Sequence, residues 1–423
     1  MTVAERTTLA IQGGDPVRKT PLPSGLHGIM EVGQEEIDAV TDVLRRQAIF
    51  RYLRPDEESY CGRLEQAYCE FTGKRFACAV TGGTSALISA LVGLGISTGD
   101  EVIVPAYTYI ATPAAVLTVG GIPVIAEVDD TLTLDPADLE RKITPLTRCI
   151  VPVHMRGLPA QMDAIMDVAR RHNLLVLEDC AQANGGEYHG KRLGGIGDVG
   201  IFSFQHYKII TSGEGGMVVT DDSNIYHRAR YRHDSAVRFF NDEGGPEPFA
   251  GENARMCELR GAVGLTQFGR LAGILERTRA VKRRIVAGIS GTPGIEIQRV
   301  ADPEGDCGIT VIVYLPDAGA ARSFARALSA EGIGNGTIYN QGFPDRHIYK
   351  HWDYVINKWT SDRTGYPWAP QYYKGSVEYS PDMCPNTLDY LGRAVAISIS
   401  QAFTDRDADD IIEGIRKVAY ALR

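Results

Sequence analysis

Read as apolar and polar positions, the central part of the chain is a series of short apolar runs separated by segments of helical period. Between residues 76 and 220 the runs are Phe76–Val80, EVIVP, IPVIAEV, CIVPVH, NLLVLED, DVGIFSF and GGMVVTD. Between them lie SALISALVGL, Thr112–Val119, a segment after Pro136, and Met162–His172, with apolar residues at the spacing of one helix face. This alternation predicts a mostly parallel central sheet flanked by helices, because strands covered on both faces read as unbroken apolar runs.

Outside that region the pattern changes. Ile37, Val40, Val43 and Leu44 predict a helix over 35–46, and a second helix is expected over 59–71. Residues 1–30, with GGDPVRKTPLP, read as an extended arm rather than a packed element. A long helix from Glu258 to about Val286 leads to a second unit. That unit holds the strand GITVIVYL, a helix over 320–330, a Tyr/Trp/Pro-rich stretch at 338–380 and a last helix at 405–421. Residues 237–252 read as an exposed excursion. The expected organisation is an N-terminal arm (1–30), a large α/β domain (31–270) and a smaller C-terminal α/β domain (271–423).

Composition narrows the classes of function. With 423 residues, 44% of them hydrophobic, the chain can bury a sizeable core. Its net charge of −9 is spread thinly, which argues against nucleic acid as a partner. Eight cysteines without a C-x-x-C pair fit neither a disulfide framework nor a zinc site. No apolar run approaches the roughly 20 residues that span a bilayer, and MTVAERTTLAIQGG lacks the apolar stretch of a signal peptide. The expectation is a soluble cytoplasmic protein with reduced thiols and no metal.

Three polar clusters stand at predicted strand ends, where open α/β sheets bind ligands. Thr81-Gly82-Gly83-Thr84-Ser85 joins a strand to a helix, where glycines and free N–H groups suit a phosphate, although a plain tight turn reads the same way. Asp179 closes a buried apolar run, and a carboxylate there needs a partner. A pyridinium nitrogen would serve, and helix-capping or metal-binding roles stay open. The third cluster, FSFQHYKIITSGEGG, holds Ser203, which can reach the same phosphate as Thr84, and Lys208 among aromatic and apolar neighbours that strip its hydration. A phosphate cup, a ring-nitrogen partner and a desolvated amine are the parts of a pyridoxal 5′-phosphate site.

With these motifs in order, TGGTSAL, VPAYTYIAT, VPVHMRG, EDCAQANGG, FSFQHYK, GEGG and GENARMCELRGAVGLTQ, the chain resembles the DegT/DnrJ/EryC/StrS family of pyridoxal-phosphate aminotransferases from about residue 10 to 423. The resemblance implies fold type I, with Lys208 as the Schiff-base lysine and Asp179 on the ring nitrogen. It implies Gly83, Thr84, Ser85 and Ser203 as the phosphate cup, Tyr107 stacked on the ring, and Gln182 beside it. Asn253 matches an asparagine that reaches the phosphate of a neighbouring subunit, which implies a homodimer with shared sites. Catalytic roles fall to Lys208 and Asp179, in a ping-pong transfer from L-glutamine or L-glutamate to a ketone.

Gln205, where nucleotide-sugar aminotransferases usually carry His, and the GGDPVRKTPLP arm resemble the branch acting on free ring ketones such as scyllo-inosose. A keto-cyclitol or keto-sugar of antibiotic-type biosynthesis is therefore the expected acceptor. The stretches 231–249 and 338–380 are expected to shape its pocket through Arg232, His233, Arg238, Tyr339, Asn340 and Tyr349, each of which reads singly as a solvated loop residue. A branch of the family that dehydrates sugars replaces the lysine by histidine. Here the lysine is present, and His206 is out of register with it. A dehydratase or aromatising lyase of the aminoshikimate type keeps the lysine and stays open. A cofactor-binding regulator of DNA would need a basic helix-turn-helix segment, and none stands out. A dinucleotide-binding dehydrogenase would need G-x-G-x-x-G, which TGGTSA does not match.

Overall fold

The apolar runs between 76 and 220 hydrogen-bond into one sheet. A computed structural model describes residues 8–236, 238, 244–338 and 344–422. Its strands are β1 (Phe76–Val80), β2 (Glu101–Pro105), β3 (Ile122–Ala126), β4 (Thr147–Ile150), β5 (Leu175–Asp179), β6 (Glu187–Tyr188), β7 (Lys191–Arg192), β8 (Val199–Ser203), β9 (Gly216–Thr220), β10 (Glu296–Ile297), β11 (Thr310–Tyr314) and β12 (Ala394–Ser398). The seven-stranded sheet has the order β1-β9-β8-β5-β4-β2-β3. β9 is antiparallel to β1 and β8; the other neighbours are parallel.

Strand alternation divides the core in two. Cys78, Val80, Val102 and Val104 face one layer, with Leu87 and Leu91 of the helix Gly83–Gly93 and Val116 of Ala111–Thr118. Ala77, Ala79 and Ile103 face the other, with Leu64 and Tyr68 of Tyr60–Thr72, Ile165 of Met162–His172, and Leu271 of Glu258–Ile289. All six parallel-running strands end at one edge of the sheet, so every loop that follows them opens on that side.

A second sheet, β10-β11-β12, is antiparallel and carries its own core around Phe324, Ile411 and Ile415. The expected extended arm is in fact anchored to the C-terminal unit from Leu9 onward. Leu9 is buried in this second core, and Ala10 and Val17 donate their N–H groups to the carboxylate of Glu331 at 2.9 and 3.1 Å. Arg18 pairs with Asp407 and Asp410 at 2.7 and 2.8 Å. The hydrophobic pattern hid this, because the arm is held by ion pairs and single apolar anchors rather than by a periodic face.

Residues 344–380 also pack more deeply than their composition predicts. Ile348, Tyr349, Trp352 and Val355 are fully buried against the main sheet. Backbone bonds carry the register: Thr108 N–H to the His347 carbonyl at 2.9 Å, and Tyr349 N–H to the Ala106 carbonyl at 2.9 Å. Strand β12 and the helix Pro385–Arg393 were not read from the sequence.

Candidate active site

The site is built on the shared edge of the parallel strands. Val80, Gly216 and Ser203 stand in one row across β1, β9 and β8. Asp179, at the end of β5, lies one strand further on. After Val80 the chain enters the helix Gly83–Gly93, capped at Gly82. First-turn N–H groups have no carbonyl partner inside a helix, so those of Gly83, Thr84 and Ser85 form an anion-attracting end that lines the cavity. Glycine is required by contact. A Cβ on Gly83 would lie 2.8 Å from the Ser203 Cβ, and one on Gly216 would lie 2.5 Å from the Gly82 carbonyl. The Ser203 hydroxyl is thereby held against the helix start.

Lys208 sits in the loop from Phe204 to Gly215. Phe204, Ile209 and Ile210 are buried and anchor the loop. Phe204 N–H bonds to Gly215 O at 2.8 Å, and Lys208 N–H to Gln205 O at 2.9 Å. Anchored at both ends, the loop turns Lys208 into the cavity and sets Tyr207, 66% exposed, at its rim. Burial lowers the pKa of the Lys208 amine, against the opposing pull of the Asp179 and Glu214 carboxylates.

Asp179 is buried. Its Oδ2 accepts from the Thr112 hydroxyl at 3.0 Å and its Oδ1 from Ala181 N–H at 3.0 Å. Burial raises its pKa, and these two bonds with the nearby Lys208 amine only partly offset that. Beneath it, the His154 imidazole bonds Glu178 at 3.2 Å and accepts from Ala160 N–H at 3.0 Å. Glu178 also takes the N–H groups of Gly194, Ile196 and Gly197. Burial would raise the Glu178 pKa; the His154 and backbone bonds nevertheless hold it below the usual range. This buried pair fixes the loop under β5.

The cavity encloses about 980 Å³, and Gly83, Thr84, Ser85, Asp179, Gln182, Ser203 and Lys208 all line it. Two expected members do not. Tyr107 is buried at the β-bridge it makes with Ile348, and its hydroxyl accepts from Arg156 Nε at 2.6 Å. Tyr109, 49% exposed, lines the cavity in its place. The sequence offered both tyrosines in one motif, and only the pairing with residues 346–349 decides which turns inward. Asn253 is exposed and absent from the lining of its own chain's cavity, although its neighbour Ala254 accepts Thr81 N–H at 2.9 Å.

Thr112, Arg156, Glu214, Arg260 and His347 are cavity residues that the motifs did not single out. Arg260 Nη1 lies 3.4 Å from the Thr81 carbonyl, at the phosphate-cup end. Only its place in GENARMCELR, directly after residues that carry the resemblance, could have drawn attention to it.

The residues expected around the acceptor are elsewhere. Arg232 pairs with Glu252 at 2.7 Å, and Tyr349 is a core residue whose hydroxyl donates to Pro381 O at 2.6 Å. Arg238 does not line the cavity; Tyr339 and Asn340 lie outside the described residues. His233 is buried between the Arg230 carbonyl and the Tyr52 hydroxyl, at 2.6 and 2.9 Å. Burial pushes its pKa down to about 4. A depressed folded pKa means stability that is complete above the unfolded value near 6.5 and lost as pH falls toward 4, worth up to about 3 kcal/mol. Thermal melts across that window are expected to show the loss in the wild type, and His233→Gln to reduce it. An equal slope in both proteins would show that His233 takes up its proton alike in the folded and unfolded chains.

The chain is 37% identical, over 69% of its length and 71% of the relative's, to L-glutamine:2-deoxy-scyllo-inosose aminotransferase of Micromonospora echinospora. It is 30% identical, over 92% of its length and 95% of the relative's, to the spore coat polysaccharide biosynthesis protein SpsC of Bacillus subtilis. Against other curated relatives it spans between 58% and 66% of their length. Among solved structures it superposes on DesI in the presence of its TDP-sugar product with a TM-score of 0.76 at 27% identity, covering 98% of this chain and 97% of that one. The strand-end arrangement, these likenesses and a family profile matched over residues 30–363 agree: the chain belongs to the DegT/DnrJ/EryC1/StrS aminotransferase family.

Proposed function

We propose that the chain is a pyridoxal-phosphate aminotransferase that moves an amino group from L-glutamine, or L-glutamate, to a ketone on a cyclitol or sugar-like acceptor of secondary metabolism. The observation that carries this reading is the meeting, in one cavity, of a desolvated lysine amine, a buried carboxylate in no ion pair among the described residues and an anion-binding helix end. The Micromonospora relative is named for the same donor and a cyclitol ketone.

The residues fit the cofactor. Gly83, Thr84, Ser85 and Ser203 would hold its phosphate, with Arg260 adding charge at that end. Asp179, costly to bury alone, would pair with the protonated ring nitrogen. Tyr109 takes the stacking role first expected of Tyr107, and Gln182 stands beside the ring. When bound, pyridoxal phosphate supplies an aldehyde that condenses with amines and a ring that accepts the electron pair left at a substrate carbon. The chain supplies the rest. Lys208 would hold the cofactor covalently and would take up and give back a proton at its Nζ. Asp179 would keep the ring nitrogen protonated.

The cofactor-binding unit is taken as residues 31–270, with 271–423 as a smaller unit closing over it. A homodimer is part of the proposal. Ile37, Leu44 and Leu53 are large apolar side chains left more than half exposed, which suits a partner surface, and exposed Asn253 would reach the partner's phosphate cup. The eight free cysteines fit a reducing cytoplasm. No helix among the described residues is long and apolar enough to cross a membrane.

Absorbance of the purified, cofactor-loaded protein tests the activity. A band at about 410–430 nm should bleach toward about 330 nm when L-glutamine is added, and return with a keto-cyclitol. A loaded protein that ignores glutamine and glutamate alike, or releases water from a ring substrate without consuming a donor, would refute transamination.

A further inference from the structure

Arg156 stands where two cavities meet. It lines the Lys208 cavity and also a second one of about 720 Å³, whose walls include Arg18, Pro23, Asn335 and Tyr107. Gly25 and Ser398 border both spaces as well. The guanidinium is therefore in the wall of the chamber that a substrate must enter to reach Lys208.

Its position is over-determined. The backbone is left-handed, φ 53° and ψ 31°, a conformation that costs energy for any residue with a Cβ and that collects at functional sites. Its N–H donates to Gln182 Oε1 at 3.1 Å, and its Nε to the Tyr107 hydroxyl at 2.6 Å. Tyr107 is buried and bridged to Ile348, so it serves as a rigid bracket. That leaves the two Nη groups, the fork that recognises carboxylates in bidentate fashion. Among the described residues no carboxylate closes an ion pair with Arg156. The acid nearest in effect, Asp345, is bonded to His347 through Nδ1 at 2.7 Å and through its N–H at 3.0 Å.

We propose that Arg156 is the carboxylate subsite of the active-site cavity, its Nη groups taking a carboxylate of the substrate that reacts at Lys208. The assignment rests on the aminotransferase reading. A charged, fixed fork in a half-buried wall needs an anion, and the phosphate is already provided for at the helix end by Gly83. The carboxylate has two possible sources: the α-carboxylate of the amino donor, or an acid group on the ketone acceptor.

The test uses the loaded enzyme and reads the change in cofactor absorbance in each half-reaction. L-glutamine is compared with L-glutaminamide, which lacks the α-carboxylate; a neutral keto-cyclitol is compared with a ring ketone bearing a carboxylate. In the donor case, Arg156→Gln raises the half-saturating L-glutamine concentration by roughly 10–100-fold. The wild-type preference for L-glutamine over L-glutaminamide then collapses toward one. Tyr107→Phe, which frees the guanidinium but keeps its charge, loses part of that preference, and Arg156→Lys regains part of it. Loaded-cofactor absorbance before any donor is added shows that each variant is folded. If the loss falls on the acidic ketone while glutamine is unaffected, the subsite stands and its carboxylate belongs to the acceptor. Equal losses for charged and neutral ligands, or no loss for any, overturn the assignment alone. A wild type that loads cofactor and answers no donor or acceptor overturns the proposed activity and this assignment with it.

Discussion

Lys208→Ala is expected to lower turnover by roughly 10⁴-fold while the protein still folds and still takes up cofactor. Folding survives because the loop is pinned by Phe204, Ile209 and Ile210, not by the lysine side chain. The variant removes the covalent link and the amine that carries the proton. Added methylamine should restore part of the rate, because a free amine can enter a cavity of about 980 Å³ and do the same proton transfer. Turnover within a few-fold of wild type would remove Lys208 from the mechanism. The same variant tests the shared site. Mixed with an inactive Asn253 variant and allowed to exchange subunits, it should regain activity, because one site of each mixed dimer then holds both native residues. No recovery after demonstrated exchange would argue that each chain completes its own site.

Asp179→Asn is expected to move activity and stability in opposite directions. Turnover should fall on the order of 10³-fold, since the amide cannot stabilise a protonated ring nitrogen. The side chain keeps its shape: its one amide oxygen can still accept from Ala181 N–H, and its amide NH2 can donate to the Thr112 hydroxyl once that hydroxyl turns, so the loss reports charge more than geometry. In the cofactor-free protein the substitution should raise the melting temperature at neutral pH. Burial raises the Asp179 pKa. A carboxyl raised on folding stabilises below its unfolded pKa, and that contribution is lost as pH rises through the folded value. At neutral pH an ionised Asp179 is therefore a cost that the amide escapes. With cofactor bound, a cation on the ring reverses the sign, and wild type should gain more stability on loading than the variant. Equal gains would mean that Asp179 does not face the ring nitrogen.

Much of this was legible in one dimension, because the physics involved is local. Unbroken apolar runs such as EVIVP can be buried on both faces only in a helix-covered parallel sheet. Once the strands are parallel, residues that end them share an edge. Gly83, Asp179 and Ser203 therefore converge without any contact being known, and Lys208 follows because its loop joins β8 to β9. Tertiary structure decided what depends on segments distant in sequence. Residues 346–349 pair beside 106–110, which buries Tyr107 and turns Tyr109 toward the cavity. Ion pairs from Arg18 and hydrogen bonds to Glu331 pull the N-terminal stretch onto the C-terminal unit, where periodicity gives no signal. The left-handed turn at Arg156, set by Gln182 and Tyr107, aims a charge that in sequence is one arginine among many. The pattern of apolar residues specifies which elements form and which strand ends meet; the direction of each side chain at that meeting depends on partners far along the chain, which no local pattern encodes.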